Sequence, residues 1–459
     1  MVYLGVIIAI QFIILTAYWL LKKYNPQVVL MVTGISMLAI SALLGNTLDP
    51  VKSTGGAFFD LFKIVVETFS TNMLRVGLMI MSIGGYVAYM KQIKASDALV
   101  YVSMQPLSLF RKYPYIAAIS IIPIGQMLFI CTPSAAGLGL LLVASILPVL
   151  VNLGVSRLTA VSVISACTVF DMGPGSANTA KASELLEMNN VMYFIEHQLP
   201  MTIPLTILLM VLYYFSNRYF DKKDLEKGKV VAEKPLDVSE MKVDVPMIFA
   251  ILPVLPLMML IVFSKYLQLF QPAIELDTTT AMVVSLFIAM LFELVRTRSF
   301  RAAFNSVKAF WGGMGKVFTD VVTLIVCAEV FSQGLIRLGL IDALVDGATH
   351  IGLSGIAIGI CITILIFLAA MLMGSGNASF FSFGPLIPSI AQKLGIPPVD
   401  MVLPMQLSAS MGRATSPIAG VIIAVAEVAG VSPFELAKRN MIPLGGALIF
   451  MIIYNYLML

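Results

Sequence analysis

The chain has 459 residues, of which 59% are hydrophobic and 12% charged, with a formal net charge of +4. Soluble domains carry about 25% charged residues, so this composition excludes a soluble globular protein and points to an integral membrane protein. The modest charge gives no nucleic-acid surface, two histidines are too few for a metal cluster, and Cys131, Cys167, Cys327 and Cys361 lack paired ligand spacing.

Apolar runs that can cross a bilayer as helices, about 20 residues each, are clearest at 2–21, 27–45, 199–216, 246–264 and 440–457. About ten crossings fit the chain. The first run has no basic residue ahead of it and is followed by Lys22 and Lys23, which reads as a retained helix rather than a leader. Residues 46–71, with Asp60, Lys63 and Glu67 among apolar neighbours, read as an amphipathic segment at the outer surface.

Two polar, glycine-punctuated breaks follow: CTPSAAGLG at 131–139, between the apolar runs 115–130 and 138–151, and MGSGNASFFSFG at 373–384, between 354–372 and 380–391. Irregular backbone at membrane depth is tolerable only when buried in protein or lining a wet cavity, and paired interruptions in two halves point to the binding site of a secondary transporter. Each is followed about 40 residues later by a second break, FDMGPGSANTA at 170–180 and SASMGRATSP at 408–417. Short matches recur at a common offset: DALV at 97–100 and 342–345, Pro148 with Leu153–Gly154 and Pro388 with Leu394–Gly395, SAC at 165–167 near SAS at 408–410. An internal duplication is expected.

Basic residues cluster after alternate spans, at Lys22 and Lys23, Lys91 and Lys94, Arg111 and Lys112, Arg157, Arg218 to Lys229, Arg296 to Arg301, and Lys438 with Arg439, which reads as the cytoplasmic side. Lys52, Lys181, Lys265, Arg337 and Lys393 scatter on the other. The span ending at Lys91 then runs inward and its counterpart ending at Arg337 outward, so the repeats are inverted and both termini lie outside the cytoplasm. The expected fold is an all-α polytopic membrane protein of two inverted repeats, each with a re-entrant hairpin and a broken transmembrane helix. Its parts are scaffold helices at 1–71, a first repeat at 72–216, a cytoplasmic linker at 217–245, further scaffold helices at 246–315, and a second repeat at 316–459.

Glycine and proline at the breaks free amides and carbonyls, to which Ser, Thr and Asn add short side chains. The candidate binding residues are Thr132 and Ser134 in the first tip, Ser176, Asn178 and Thr179 after it, Ser375, Gly376, Asn377 and Ser379 in the second tip, and Ser408, Ser410, Arg413, Thr415 and Ser416 in the last break. Half-helix N-termini favour carboxylate or phosphate, so an anion is the expected cargo, and freed oxygens suit a coupling Na+. Arg413, a guanidinium inside a membrane segment, reads as a bidentate carboxylate partner, as the stand-in for a coupling sodium, or as a structural or snorkelling cation. Asp171 binds a cation, titrates a proton, pairs with Arg413, or caps the half-helix beginning near Gly175. Lys181 and Glu184 are expected at the outer aqueous surface. With no Ser-His, paired-carboxylate or metal-ligand constellation, no enzyme and no cofactor is expected beyond Na+ or H+ as coupling ion.

The chain resembles the DcuC-type anaerobic C4-dicarboxylate carriers of bacteria, most densely at GLMIMSIGGYVAYM (77–90), GSGN (374–377), Gly412–Arg413 with SPIAG (416–420), and SPFE (432–435). The resemblance implies carriage of succinate, fumarate, malate or aspartate across the inner membrane, with succinate export or exchange. The wider ion-transporter superfamily implies a homodimer with a scaffold and a mobile transport domain moving as an elevator. Its Ser-Asn-Thr tip triplets are absent here, where the tips read Ser134-Ala135-Ala136 and Ser375-Gly376-Asn377.

Overall fold

The computed structural model describes residues 2–46, 50, 53–104, 113–226, 245–263, 274, 276–350 and 354–458. These are helices and connecting turns, with no strand among them.

α1 (Val2–Leu21) and α2 (Pro26–Leu43) meet at Asn25, whose side chain accepts from Val28 N at 3.1 Å while Pro26 takes a first-turn position that needs no NH donor. α3 runs unbroken over Ala57–Gln92 and contains one π turn, Met73–Gly77. The stretch expected to lie along the surface is, from Ala57 on, helical and continuous with the apolar stretch that follows it. α4 (Ala95–Met104) leads to a hairpin of α5 (Pro114–Cys131) and α6 (Ala135–Asn152), then α7 (Arg157–Ala166), a break, α8 (Ala177–Leu185), and α9 (Asn190–Glu226) with its own π turn, Phe194–Gln198.

The run at 246–264 is rich in proline and starts as a 3-10 turn, Met247–Val254, before α10 (Leu255–Val262). α11 (Thr278–Thr297) and the short α12 (Phe300–Ser306) precede α13, which spans 308–337 around the π turn Phe318–Val322. α14 (Leu340–His350) leads to the second hairpin, formed by α15 (Gly355–Met373) and an arm made of α16 (Gly376–Phe383) and α17 (Ile387–Leu394). Then come α18 (Pro398–Ala414), a break, α19 (Gly420–Ala429) and α20 (Pro433–Ile453). Among the described residues eight helices are long and apolar enough to cross a membrane: α2, α3, α5, α6, α9, α11, α15 and α20.

The order of elements recurs. The π turns begin at 73 and 318, the short helices at 95 and 340, the hairpin arms at 114 and 355 and at 135 and 376, the half-helices at 157 and 398 and at 177 and 420, and the closing helices at 190 and 433. The boundaries expected at 71/72 and 315/316 fall inside α3 and α13, shortly before these π turns. α9 continues ten residues into the linker expected over 217–245; most of the rest of that linker, with Lys227 and Lys229, lies outside the described residues, as do Lys52, Arg111, Lys112 and Lys265.

Two bodies of packing hold these elements. α13 lies along α2 and α3, and glycines bring the backbones together: a Cβ on Gly313 would stand 2.6 Å from Gly84 O, and one on Gly34 would stand 2.7 Å from Phe331 N. Such small-residue crossings are how helices associate in lipid, where the hydrophobic effect gives no drive. The hairpins instead pack on the broken helices, each on its own series and across to the other: α15 on α18, α6 on α7 and also on α19, α16 on α18 and also on α8.

The last break sits later than the residue pattern predicts. Gly412 does not unwind α18, because it is the point where the Phe367 carbonyl comes closest and a side chain would not fit; the helix ends only at Thr415, ahead of Pro417, which has no NH to give. Ser408, Ser410 and Arg413 are accordingly helical.

Replacing Gly313 with Leu should overpack the α3–α13 crossing by about 1–3 kcal/mol and lower the melting temperature in detergent. Gly312→Leu, at a position with open space around it, should leave the melt unchanged.

Candidate functional site

The first break opens at Cys167 and closes at Ser176, and in it Asp171 adopts a left-handed backbone with φ of 46°. The side chains that hold this turn come from both halves of the chain. Asp171 Oδ2 accepts from Asn178 Nδ2 at 3.1 Å and from Ser410 Oγ at 3.4 Å, and Arg413 Nη1 stands 3.7 Å from it. Arg413 Nη2 donates to the freed carbonyl of Thr168 at 2.7 Å. Asn178 Nδ2 also reaches Ser410 Oγ at 3.3 Å. The two broken helices therefore meet at one buried acid–arginine pair.

A polar layer lies behind the pair. Thr179 Oγ1 donates to the Asp171 carbonyl at 3.4 Å, pairs with the Gln198 amide at 3.0 Å, and accepts from Gln406 Nε2 at 3.4 Å. Gln198 Oε1 accepts from Gly173 N at 3.2 Å, Tyr193 donates its hydroxyl to Gln406 Oε1 at 2.7 Å, and Asn190 Nδ2 donates to Pro174 O at 2.7 Å. Thr168, Asn190, Gln198 and Gln406 were not among the sequence candidates. For Asn190, Gln198 and Gln406 the available signal is an amide side chain in an otherwise apolar stretch, which is costly at membrane depth unless it serves a partner; Thr168 contributes only its backbone carbonyl and gives no such signal.

Both hairpin tips reach this region. The first, Thr132–Ser134, lies against the first break: a Cβ on Gly175 would stand 3.2 Å from Pro133 Cγ. The second lies against α18 and the last break, since a Cβ on Gly376 would stand 3.0 Å from Ala409 O and one on Gly374, with φ of 71°, 3.0 Å from Ile418 O. Asn377, half-buried one residue past Gly376, makes no side-chain hydrogen bond with the described residues.

The remaining candidates have local work. Ser134 and Ser375 cap their helices by accepting from Gly137 N at 3.2 Å and Ala378 N at 3.1 Å. Thr132, Ser379, Ser408 and Thr415 donate to carbonyls of Leu128, Gly376, Met405 and Gly412 in their own helices, and Ser416 accepts from Ile418 N. Ser176 stands buried at the N-cap position of α8 without a capping bond. Two buried atoms at the centre have no partner among the described residues, Arg413 Nε and Asn178 Oδ1. The centre thus offers one unused donor and one unused acceptor within a single constellation. A cavity of about 490 Å3 is walled mainly by apolar side chains such as Ile13, Leu20, Leu365 and Leu372, with the hydroxyls of Thr16 and Ser382 and no charged residue in its lining.

Lys181 and Glu184 depart from the surface placement expected of them. Lys181 is only 1% exposed, with Nζ 2.6 Å from Glu184 Oε2 and 3.4 Å from Glu329 Oε2.

The family model described as the C4-dicarboxylate anaerobic carrier, DcuC, matches residues 4–459. The anaerobic C4-dicarboxylate transporter DcuC of Escherichia coli K12 is 32% identical over 458 residues, 99% of this chain and 97% of that protein. A DcuC relative in Vibrio cholerae is 35% identical over 439 residues, 95% and 94% of the two chains. In fold, the chain is similar to Neisseria gonorrhoeae MtrF, of a class of antimetabolite efflux pumps, with a TM-score of 0.63 at 14% identity over 96% of this chain and 97% of that one. The Alcanivorax borkumensis YdaH transporter, described as having an unusual topology, gives 0.63 at 14% over 94% and 98%. The family and its named relatives are transporters, not enzymes, and the chain belongs to the DcuC family of anaerobic C4-dicarboxylate carriers.

Proposed function

We propose that the chain carries C4-dicarboxylates such as succinate, fumarate, malate and aspartate across the bacterial inner membrane, by exchange or succinate efflux. The observation that carries this reading is the state of Arg413. A guanidinium at membrane depth is costly, yet here it is only loosely paired, at 3.7 Å from Asp171, and its Nε has no partner. A substrate carboxylate arriving beside it would gain charge-assisted hydrogen bonds, which are stronger than neutral ones. The unpartnered amide of Asn377 at the adjacent tip suits the second carboxylate. No bond is made or broken; the residues bind, orient and release.

The recurring element series supports an alternating-access reading in which the repeats are inverted. The hairpins and broken helices move as a transport domain against the bundle of α2, α3, α10, α11 and α13, in the manner of an elevator. We further infer a homodimer built on that bundle, with both termini periplasmic and lipid around the spans.

A second reading has its own observation. Asn178 Oδ1 is buried without a donor beside the Asp171 carboxylate, and hard oxygens of this kind suit Na+ or a proton on the acid. A symporter of another carboxylate or an amino acid follows from that reading. An anion channel is a third possibility; it would show no acceleration by a counter-substrate.

Labelled fumarate uptake into proteoliposomes preloaded with succinate, with and without a sodium gradient, separates these. Acceleration by internal succinate without sodium is the expected outcome; uptake only under a sodium gradient assigns symport, and no uptake assigns another cargo. Arg413→Ala should abolish fumarate binding with the fold intact by size-exclusion, and Arg413→Lys, which keeps the charge but loses the fork geometry, should bind weakly. Isothermal titration of Asn377→Ala should read a loss of about 1–3 kcal/mol; unchanged affinity would remove that amide from the site.

A further inference from the structure

Outside the binding centre, a buried ammonium, that of Lys181, is the hub of a group of charges that reaches the surface at Arg75. Lys181 and Glu184 on α8, Arg75 on the π turn of α3, and Glu329 on α13 form a chain in which Lys181 Nζ sits between the two carboxylates and Arg75 Nη1 stands 3.3 Å from Glu184 Oε1. A lysine near lipid or an interface ordinarily extends its ammonium to water; Lys181 does the opposite and is held inside. The links join α8, a short half-helix, to two long helices that contribute nothing to the centre directly, and α8 packs on the π turn that carries Arg75. π turns inside helices are often found at functional sites.

The position of Lys181 on α8 gives the group its consequence. Asn178 lies three residues earlier on the same helix face, and its amide holds Asp171 Oδ2 at 3.1 Å; Thr179, beside it, holds the Asp171 carbonyl at 3.4 Å. Any shift of α8 therefore moves the donors that set Asp171 against Arg413. The group is also peculiar to one half. In the second series the π turn Phe318–Val322 carries Asp320 where the first has Arg75, and α19 carries Glu427 where α8 has Glu184. These are two acids, both exposed, which cannot pair.

We propose that Lys181, clamped by Glu184 and Glu329, is a positioning residue for substrate binding: it fixes α8 so that Asn178 and Thr179 present Asp171 to Arg413, and thereby sets the affinity of the centre for a carboxylate. This rests on the reading of the Asp171–Arg413 pair as the binding centre. Without the ammonium, Glu184 and Glu329 face each other across α8 and α13, α8 withdraws, and Asp171 loses its donors.

The test compares wild type, Lys181→Met, Lys181→Arg and the double variant Lys181→Met/Glu329→Gln in fumarate–succinate exchange. Lys181→Met should raise KM by about tenfold, within the coupling usual for neighbouring residues, with a smaller change in kcat. Lys181→Arg should restore most of the affinity, and the double variant part of it, because it removes the uncompensated anion. A Lys181→Met protein that melts lower but keeps the wild-type KM would overturn the proposal and leave Lys181 a structural prop. A cargo-independent readout separates the two readings: the rate at which a maleimide labels Asn178→Cys in a background without other cysteines, with and without Lys181→Met. Wild type failing to exchange fumarate would sink the cargo reading alone, while an unchanged labelling rate would sink the clamp.

Discussion

The hydrocarbon core of a bilayer offers neither donor nor acceptor to backbone released from a helix, and among the described residues the two hairpin tips and the two breaks release it. Each is sealed by protein. In the first tip Thr132 and Ser134 turn their hydroxyls back on their own helices; in the second, Gly374 closes α15 in the left-handed conformation, its NH reaching Ala370 O at 2.9 Å. The two breaks are sealed from a distance. Arg413 takes the Thr168 carbonyl, Asn190 the Pro174 carbonyl, Gln198 the Gly173 amide, and Asn440 the Ala414 carbonyl at 2.9 Å. Each such bond ties one helix to another, so the polar centre is what the sealing of the backbone leaves behind. The breaks and the site are one physical feature.

Two buried arginines show how the same residue type is used in opposite ways. Arg439 is 2% exposed, with Nη1 2.6 Å from Asp221 and Nη2 2.7 Å from Asp224, and Asp221 takes further donors from Tyr115, Ser156 and Thr159. That network is saturated. It pins α20 to α9 and α7, and removing one charge from such a pair costs about 3–5 kcal/mol. Arg413 keeps a loose contact with Asp171 and an idle Nε. A saturated cation stabilises the fold and has nothing left for a ligand; an under-coordinated one keeps donor capacity of the kind a carboxylate can use.

Much of this was legible in residue order. The hairpin tips fall at the glycine-, proline- and serine-rich stretches because nothing else could turn a chain at that depth, and Asp171 and Arg413 stood out as charges inside apolar runs. The exact end of α18 did not, because Gly412 signals a break in sequence yet serves as a contact point for the Phe367 carbonyl. The burial of Lys181 was hidden for a different reason. Its polar neighbours on α8 resemble a surface segment, and the carboxylate that draws it inward, Glu329, lies on a helix 148 residues away. Arg439, read with Lys438 as an inner-surface marker, is buried against Asp221 and Asp224, which lie in the stretch read as a cytoplasmic linker. Charge patterns read along the chain cannot show which charges are paired, and pairing decides how far each is buried in protein.

The recurring series of elements has a chemical asymmetry at its centre. Both series supply the same frame of π turn, hairpin, broken helix and closing helix, but the first places an acid in its break and the second a cation at the end of its half-helix. Had both halves carried arginine, the centre would hold two like charges at membrane depth, each needing a counter-ion before folding could complete. Opposite charges let the empty centre neutralise itself, at the weak 3.7 Å contact rather than in a tight pair. On the proposed reading a carboxylate would compete with Asp171 for one guanidinium, and the fate of the displaced acid would set the coupling. If the acid keeps its charge, a cation must accompany the substrate; if it takes a proton, the proton is the coupled ion; if Arg413 reaches both carboxylates at once, exchange needs neither. The choice among these turns on how firmly Asn178, Thr179 and Ser410 hold Asp171 in place, and so on the helices that carry them rather than on the arginine.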